Sequence, residues 1–400
     1  MPCLARPLAA AALSCLAGVA PLRAQLNRAQ LERIERPRVL AAAGHYLLEK
    51  PITITAYPAA RSAGGPHDYF SEGDYWWPDP RNPDGPYIQR DGQTNPANFD
   101  LHRQALRRLS QAVPALVAAY ELTRDERYAR AARAHLVAWF ADTATRMNPS
   151  LRYAQAIHGR VTGRGIGIID GLHLVEVAQA VAELERLHAL PADERAPILG
   201  WFRDYLEWIT TDPFGAAERD NGNNHSTAWA VQVAEFARLL GDSVRLAQVR
   251  RFYEETLLPK QMAADGSFPK ELARTKPYSY SLFNLDLFAE LAQILSTPAH
   301  GATGTHGASD LWRFTLADGR GLHRAIAWMA PYIADKRAWP RPPDVQYFDE
   351  WPMRQVALLF GGLAYHDAGY IALWKKLPAD SEVDEVIRNF PIRQPLLWVH

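Results

Sequence analysis

Two short stretches of the chain concentrate side chains suited to acid–base chemistry. Residues 218–229 read ERDNGNNHSTAW and crowd Glu218, Arg219, Asp220, Asn223, Asn224 and His225 into eight positions. They fall where a glycine-containing loop gives way to an apolar-periodic helix, a place where side chains are held rigidly yet can face a cleft. A helix start leaves backbone N–H groups unpaired and favours Asn or Ser there, so Asn224 or Ser226 acting as a cap is the competing reading. The crowding exceeds what a cap requires. Residues 274–280 (RTKPYSY) form the second stretch, with Lys270 and Glu271 just before it. An arginine close to a tyrosine stabilises phenolate and lets the phenol act as base or acid despite an unperturbed pKa of about 10. Tyr278 and Tyr280 flank Ser279, and at most one of them is expected to face a given cleft.

The elements that would position these stretches read as helices. Residues 25–50 carry helix-compatible spacing and stop at Pro51. Leu101, Ala105, Leu109, Val113, Leu116 and Tyr120 recur at three- or four-residue steps, and 125–141 is a second amphipathic segment, which together predict a helical hairpin. Further pairs are predicted over 166–190 with 192–209, over the helix of Trp229, Val233, Phe236 and Leu240 with 242–258, and over 281–296 with 308–316. Single helices fit 322–334, 352–364 and 368–375. Strand-like alternation is confined to 51–56 and the extreme C-terminus. Between them lies an exception, residues 51–98, rich in Pro, Gly, Asp, Asn and aromatics and far longer than an ordinary connection, so a functional loop is expected there. The pattern predicts an all-α fold, an α/α toroid or incomplete barrel of antiparallel helix pairs. A superhelical repeat protein is the alternative, but no sequence motif recurs at a fixed period. No linker-like run separates the pairs, so residues 25–400 are read as one domain.

Composition narrows the function. The 44 basic residues balance 44 acidic ones, which removes the basic footprint of a nucleic-acid binder. Residues 1–24 have the plan of a secretory signal peptide: Arg6, an apolar run of about a dozen residues, and small residues up to Ala24. The run is too short for a membrane span, which takes about 20 residues. The expectation is an exported protein, periplasmic or secreted, with no membrane attachment after cleavage. Ala12-Leu13-Ser14 is a poor lipoprotein box for Cys15. The only cysteines, Cys3 and Cys15, lie in this leader, leaving the mature chain without disulfides or thiolate metal sites. The 12 Trp and 16 Tyr provide flat amphipathic rings that can stack on sugar faces, although about two thirds of them are expected in the core.

The familiar catalytic signatures are missing: no Walker loop, no His-Glu-x-x-His, no Gly-x-Ser-x-Gly. Gly163-Arg164-Gly165-Ile166-Gly167 imitates a dinucleotide fingerprint but lacks the preceding strand and downstream acid, and reads as backbone geometry at a helix entrance. Taken together, YFSEGDYWWPDPRNPDGPYIQRDGQTNP, GRGIGIID, ERDNGNNHSTAW and ARTKPYSYSLFNL resemble the alginate lyase superfamily, most closely polysaccharide lyase family 38, across roughly residues 68–285.

That resemblance implies an α/α toroid and β-elimination on a β-1,4-linked uronate polymer, glucuronan or mannuronate-rich alginate, with an anionic polysaccharide as partner. It implies that Asn224, His225 and Arg274 grip the C6 carboxylate, and that Tyr280 takes the C5 proton and returns it to O4 in a syn elimination. His225 is the alternative base, with Glu218 orienting it. No cofactor or metal is called for if protein donors neutralise the carboxylate. Tyr75, Trp76 and Trp77 are expected as a sugar-stacking wall, Glu72 and Asp74 as hydroxyl partners, and Arg160 and Arg164 as clamps on neighbouring carboxylates, with Asn223 and Tyr278 also at the cleft. His158 and His173 are expected to be structural. Two rival readings remain: an inverting glycoside hydrolase, casting Glu72 or Asp74 against Glu218 or Asp220, and a non-catalytic polysaccharide binder.

Overall fold

A computed structural model describes residues 26–297 and 310–400. The leader expected at 1–24, and the start of the helix expected at 308–316, lie outside the described residues.

Helices dominate, in the order α1 (Arg28–Tyr46), α2 (Leu101–Thr123), α3 (Glu126–Phe140), α4 (Leu174–Arg186), α5 (Ala192–Thr211), α6 (Pro213–Arg219), α7 (Asn224–Leu240), α8 (Ser243–Phe252), α9 (Leu258–Gln261), α10 (Pro269–Leu272), α11 (Pro277–Ser296), α12 (Leu322–Ala334), α13 (Val356–Ala364), α14 (Ala368–Lys376) and α15 (Asp384–Arg388). Burial sorts the long ones into two layers. α4, α7, α11 and α13 are buried almost all round, whereas α3, α5, α8 and α12 carry one apolar face. A helix apolar on every side must be inner, and one with a stripe must be outer. Contacts agree, since α2 packs on α4, α4 on α7, α7 on α11 and α11 on α13, while α3, α5, α8, α12 and α14 lie against this inner row. The architecture is an α/α toroid. Because each outer helix carries the chain back, successive inner helices run the same way and their N-termini gather at one end. Helix N-termini carry partial positive charge and unpaired N–H groups, so that end favours anions.

Local rules set the helix starts. Asp125 caps α3 by accepting from Arg127 N, Asp212 caps α6 with Pro213 in its first turn, and Asn223 caps α7. Several boundaries differ from the sequence expectations. The strand expected at 51–56 is a 3₁₀ turn at Ile54–Ala56, and the C-terminal one is a 3₁₀ turn at Pro395–Leu397. A strand needs a ladder partner, and neither segment has one among the described residues. One ladder lies inside the long loop, and a second joins that loop to the segment between α3 and α4. β1 (Phe70–Glu72) pairs in parallel with β4 (Tyr153–Ala156), and β2 (Trp76–Trp77) pairs antiparallel with β3 (Ile88–Gln89). The expected helix 166–190 begins as a 3₁₀ run, Gly165–His173, and becomes α-helical at Leu174. Gly167 explains part of this, because a Cβ there would sit 2.6 Å from the Ala154 carbonyl oxygen as the backbone passes β4. Pro259 does not end its helix. A π turn at Tyr253–Leu257 precedes α9, and Pro259 falls in that helix's first turn, where a missing N–H costs nothing. Described residues 310–316 form turns, Asp310 Oδ1 accepting from Trp312 N, in place of the expected helix.

Candidate active site

The N-termini of α7 and α11 sit side by side because the two inner helices pack along their lengths. Around them close the loop before α2, the 3₁₀ entrance to α4 and the C-terminal α15. The cleft so formed is lined by Asp74, Tyr75 and Trp76, by Gln155 and Arg164, by Asn224 and His225, by Arg274, Tyr280 and Phe283, and by Arg388 and Asn389.

Tyr280 is the centre of its hydrogen bonding. Its Oη lies 2.8 Å from Tyr75 Oη and accepts from Arg274 Nη2 at 3.3 Å, while the Arg274 guanidinium stands 4.5 Å from the centre of the Tyr280 ring. Burial pushes the Tyr280 phenol well up from its ordinary value, against the pull of Arg274 and of the Tyr75 hydrogen bond. Burial therefore favours the neutral phenol, and the Arg274 guanidinium and the Tyr75 hydrogen bond favour the phenolate. RTKPYSY is also not an extended preface to the helix. α11 starts at Pro277, so Tyr278 and Tyr280, two positions apart, diverge by about 200° around it. Tyr278 is thereby removed from the cleft. It is fully buried, donates to the Tyr332 carbonyl at 3.1 Å and packs on Trp339 and Phe348.

On α7, His225 Nδ1 lies 2.8 Å from Oε1 of Glu218, which is itself fully buried. Burial raises the Glu218 carboxyl, offset by His225. This contact fixes the ring and leaves Nε2 for the cleft. Asn224 is held from behind: its backbone N and Nδ2 donate to the two oxygens of Glu271 at 2.8 and 2.6 Å. Asn223 is a correction, since its side chain accepts from His225 N as the helix cap and does not line the cleft.

The aromatic loop divides by alternation, because neighbouring residues on a strand face opposite ways. Trp76 faces the cleft, with Arg160 and Arg164 at 5.3 and 5.8 Å from its ring. Trp77 does not. Its Nε1 donates to the Gln93 carbonyl and Arg90 covers its ring. Tyr75, expected as a stacking surface, instead points its hydroxyl at Tyr280. Glu72 is likewise displaced from its expected role: buried in β1, it accepts from Phe99 N and pairs with Arg61 at 2.7 Å. Asp74 lines the cleft floor but is tied to Arg103 and, at 2.9 Å, to Arg388. Arg164 donates to the Gln155 carbonyl and side chain, and among the described residues no carboxylate lies within ion-pair distance of it. Burial pulls it down to about 10, so it remains cationic at neutral pH. Arg160 is held by the Tyr87 carbonyl at 2.7 Å. His173 is buried, and His158 packs on Tyr87.

These placements bear on the hydrolase reading, which needs two free carboxylates facing one another across the cleft. Glu72 and Asp74 are engaged, Glu218 sits behind His225, and Asp220 pairs with Arg219 on the surface. The cleft presents donors. Donors gathered at the helix starts of an α/α toroid suit an anionic polymer. The alginate lyase family model matches residues 53–339, more than half of the chain, and the chain belongs to that family. A solved alginate lyase from Bacteroides ovatus is 31% identical, with 93% of this chain and 96% of that one covered and a TM-score of 0.78. Two structures of alginate lyase A1-III complexed with tetrasaccharide, a histidine-to-alanine and a tyrosine-to-phenylalanine variant, share the fold. They are 15% identical, with 90% of this chain and 93% and 94% of theirs covered, at TM-scores of 0.55 and 0.52. None of the curated proteins compared matches the chain.

Sequence reasoning missed Asp91, Gln155, Arg388 and Asn389, and noted Glu271 without giving it a role. Glu271 was within reach, standing three residues before Arg274. Asp91 and Arg388 carry no local signal because their partners, Arg274 and Asp74, lie far away along the chain.

The tyrosine pair gives a first prediction. Tyr75→Phe removes a hydrogen bond that favours the Tyr280 phenolate, so kcat should fall roughly 10- to 100-fold, the rate equivalent of one charge-assisted hydrogen bond. The rise of activity with pH should move to higher pH, and polymer affinity should hold. An unchanged profile with kcat within about twofold would remove Tyr75 from the chemistry.

Proposed function

We propose that this lyase cleaves a β-1,4-linked uronate polymer, mannuronate-rich alginate or glucuronan, by syn β-elimination that leaves a 4,5-unsaturated uronate end. The observation that carries the reading is the Tyr280 hydroxyl held between Tyr75 Oη and Arg274 Nη2, beside the Asn224 and His225 donors.

The C6 carboxylate is received by the Asn224 amide and by His225 Nε2, with Arg274 at its edge, so that negative charge developing at C5 and C6 is met by fixed donors. Tyr280, as phenolate, takes the C5 hydrogen. The C5–H electron pair becomes the C4=C5 double bond, the C4–O4 bond breaks, and O4 leaves with the proton that Tyr280 returns. One group can perform both transfers because in D-mannuronate and D-glucuronate the C5 hydrogen and O4 lie on the same side of the ring. Arg164 and Trp76 flank this position and suit the carboxylate and the face of a neighbouring sugar. Protein donors suffice for charge neutralisation in this scheme, so activity is expected to survive chelator treatment. An exported location rests on the leader at residues 1–24.

The test is an absorbance assay for the conjugated product on polymannuronate, glucuronan and polyguluronate. Turnover is expected on one or both of the first two. In L-guluronate the two groups lie on opposite sides, so equal or faster turnover of polyguluronate would contradict the syn assignment to Tyr280.

A further inference from the structure

Besides the Tyr75–Tyr280 contact, the long loop meets the second catalytic stretch at Asp91. Asp91, just after β3, places Oδ1 2.7 Å from Arg274 Nη2 and Oδ2 3.2 Å from Arg274 Nε, and accepts from Thr275 Oγ1 at 3.0 Å. Arg274 Nη2 is thus shared between the Asp91 carboxylate and the Tyr280 hydroxyl. Backbone geometry is fitted to this contact. Gly92 has φ +73°, and a Cβ there would lie 2.3 Å from Thr275 Oγ1, so a residue without a side chain lets the loop close on the segment. The loop is further strapped at Thr94, whose N donates to Gln346 Oε1 at 3.0 Å.

We propose that Asp91 is a positioning residue for the elimination: by gripping two nitrogens of Arg274 it fixes the guanidinium against Tyr280 and limits how much positive charge the phenol feels. The inference rests on Tyr280 being the proton-transfer group. An unclamped arginine has several rotamers, only some of which put Nη2 on the hydroxyl, and a fully unneutralised one holds Tyr280 as a weaker base. Asp91 sets the balance between the two. The charged and titratable groups around Tyr280 are Arg274 and Lys276 from its own segment, Tyr75 and Asp91 from the long loop, His225 from α7, and Glu385 and Arg388 from α15. Lys276 and Arg388 are both paired with Glu385, and Glu271 of α10 acts on Arg274 without an ion pair, so Asp91 is the acid that grips Arg274 directly. The Asp91 charge acts to raise the Tyr280 phenol, as burial does.

The experiment is the pH dependence of kcat/KM, with kcat, for full-length Asp91→Asn, Asp91→Ala, Asp91→Glu and Gly92→Ala, beside Tyr280→Phe. In Asp91→Asn, which keeps the shape and loses the charge, the pH at which kcat/KM stops rising should move down by about one unit. In Asp91→Ala the loss of orientation should lower kcat roughly 10- to 100-fold, Asp91→Glu should recover part of that loss, and Gly92→Ala should repeat the defect in kcat without touching either charge. If Asp91→Ala does not fold, the near-isosteric Asp91→Asn profile decides. A wild-type profile in Asp91→Asn overturns the proposal, as does kcat within about twofold of wild type in Asp91→Ala. Turnover that survives Tyr280→Phe overturns the underlying reading instead, an outcome no Asp91 variant can produce.

Discussion

Replacing Tyr280 by phenylalanine should lower turnover by about 10⁴-fold, the upper end of what a positioned acid–base group contributes, because one hydroxyl is proposed to serve both proton transfers. The substitution is narrow. Phenylalanine keeps the ring on which Arg274 stacks, and the side chain is buried at the start of α11, so the fold and the guanidinium position are preserved. Asn224 and His225 are untouched, so polymer affinity should stay near wild type. Steady-state kinetics together with a binding isotherm check both halves. Turnover within a few-fold of wild type would move the base to His225, the other cleft group with a fixed ring, and would fit an anti elimination better than a syn one.

A second large effect is on stability. Arg103 is 2% exposed and sits beneath the aromatic loop, where it pairs with Asp74 and, at 3.2 Å, with Asp170. Asp170 also accepts from Tyr69 and Ser71, which ties β1 into the same knot. Arg103→Leu leaves two buried carboxylates short of their cation and should cost about 3–5 kcal/mol, the usual penalty for removing one partner of a buried pair. The pH dependence has a definite sign. Burial raises the Asp74 carboxyl, but Arg103 and then Arg388 outweigh it and hold it below its unfolded value of 3.8. That contribution is therefore present above 3.8 and is lost as pH falls through the lower folded value. Chemical denaturation should show a wide gap between wild type and variant at pH 7 that narrows in strong acid. A loss below about 1 kcal/mol at pH 7 would mean that Arg388 at Asp74 and the hydrogen bonds to Asp170 make up for the lost cation. Because Asp74 precedes Tyr75, the variant should also loosen the Tyr75–Tyr280 contact.

Much of this molecule could be read from periodicity, since α2, α3, α5 and α7 announce themselves by apolar residues at three- and four-residue steps, and the toroid follows from repeated pairs. The site was half legible. ERDNGNNHSTAW and RTKPYSY stand out because polar side chains crowd at helix starts, but the helix expected at 281–296 begins earlier, at Pro277. What failed was direction. Whether Tyr278 or Tyr280 faces the cleft depends on α11 starting at Pro277, and whether Trp76 or Trp77 does depends on the phase of a two-residue strand. The charges around the site were not legible at all. Asp91 meets Arg274 from 183 residues away, and Arg388 reaches Asp74 from the far end of the chain. Such pairs are set by how the toroid closes, and neither member carries a local signal of the other.

The central claim, elimination driven by Tyr280, is tested most directly by counting new reducing ends and near-ultraviolet chromophores in the same reaction, for wild type and Tyr280→Phe on whichever polymer turns over. One chromophore for every new reducing end in wild type, with both lost together in the variant, is the predicted result. Reducing ends that outnumber chromophores, or chromophore that keeps forming in Tyr280→Phe, would contradict it.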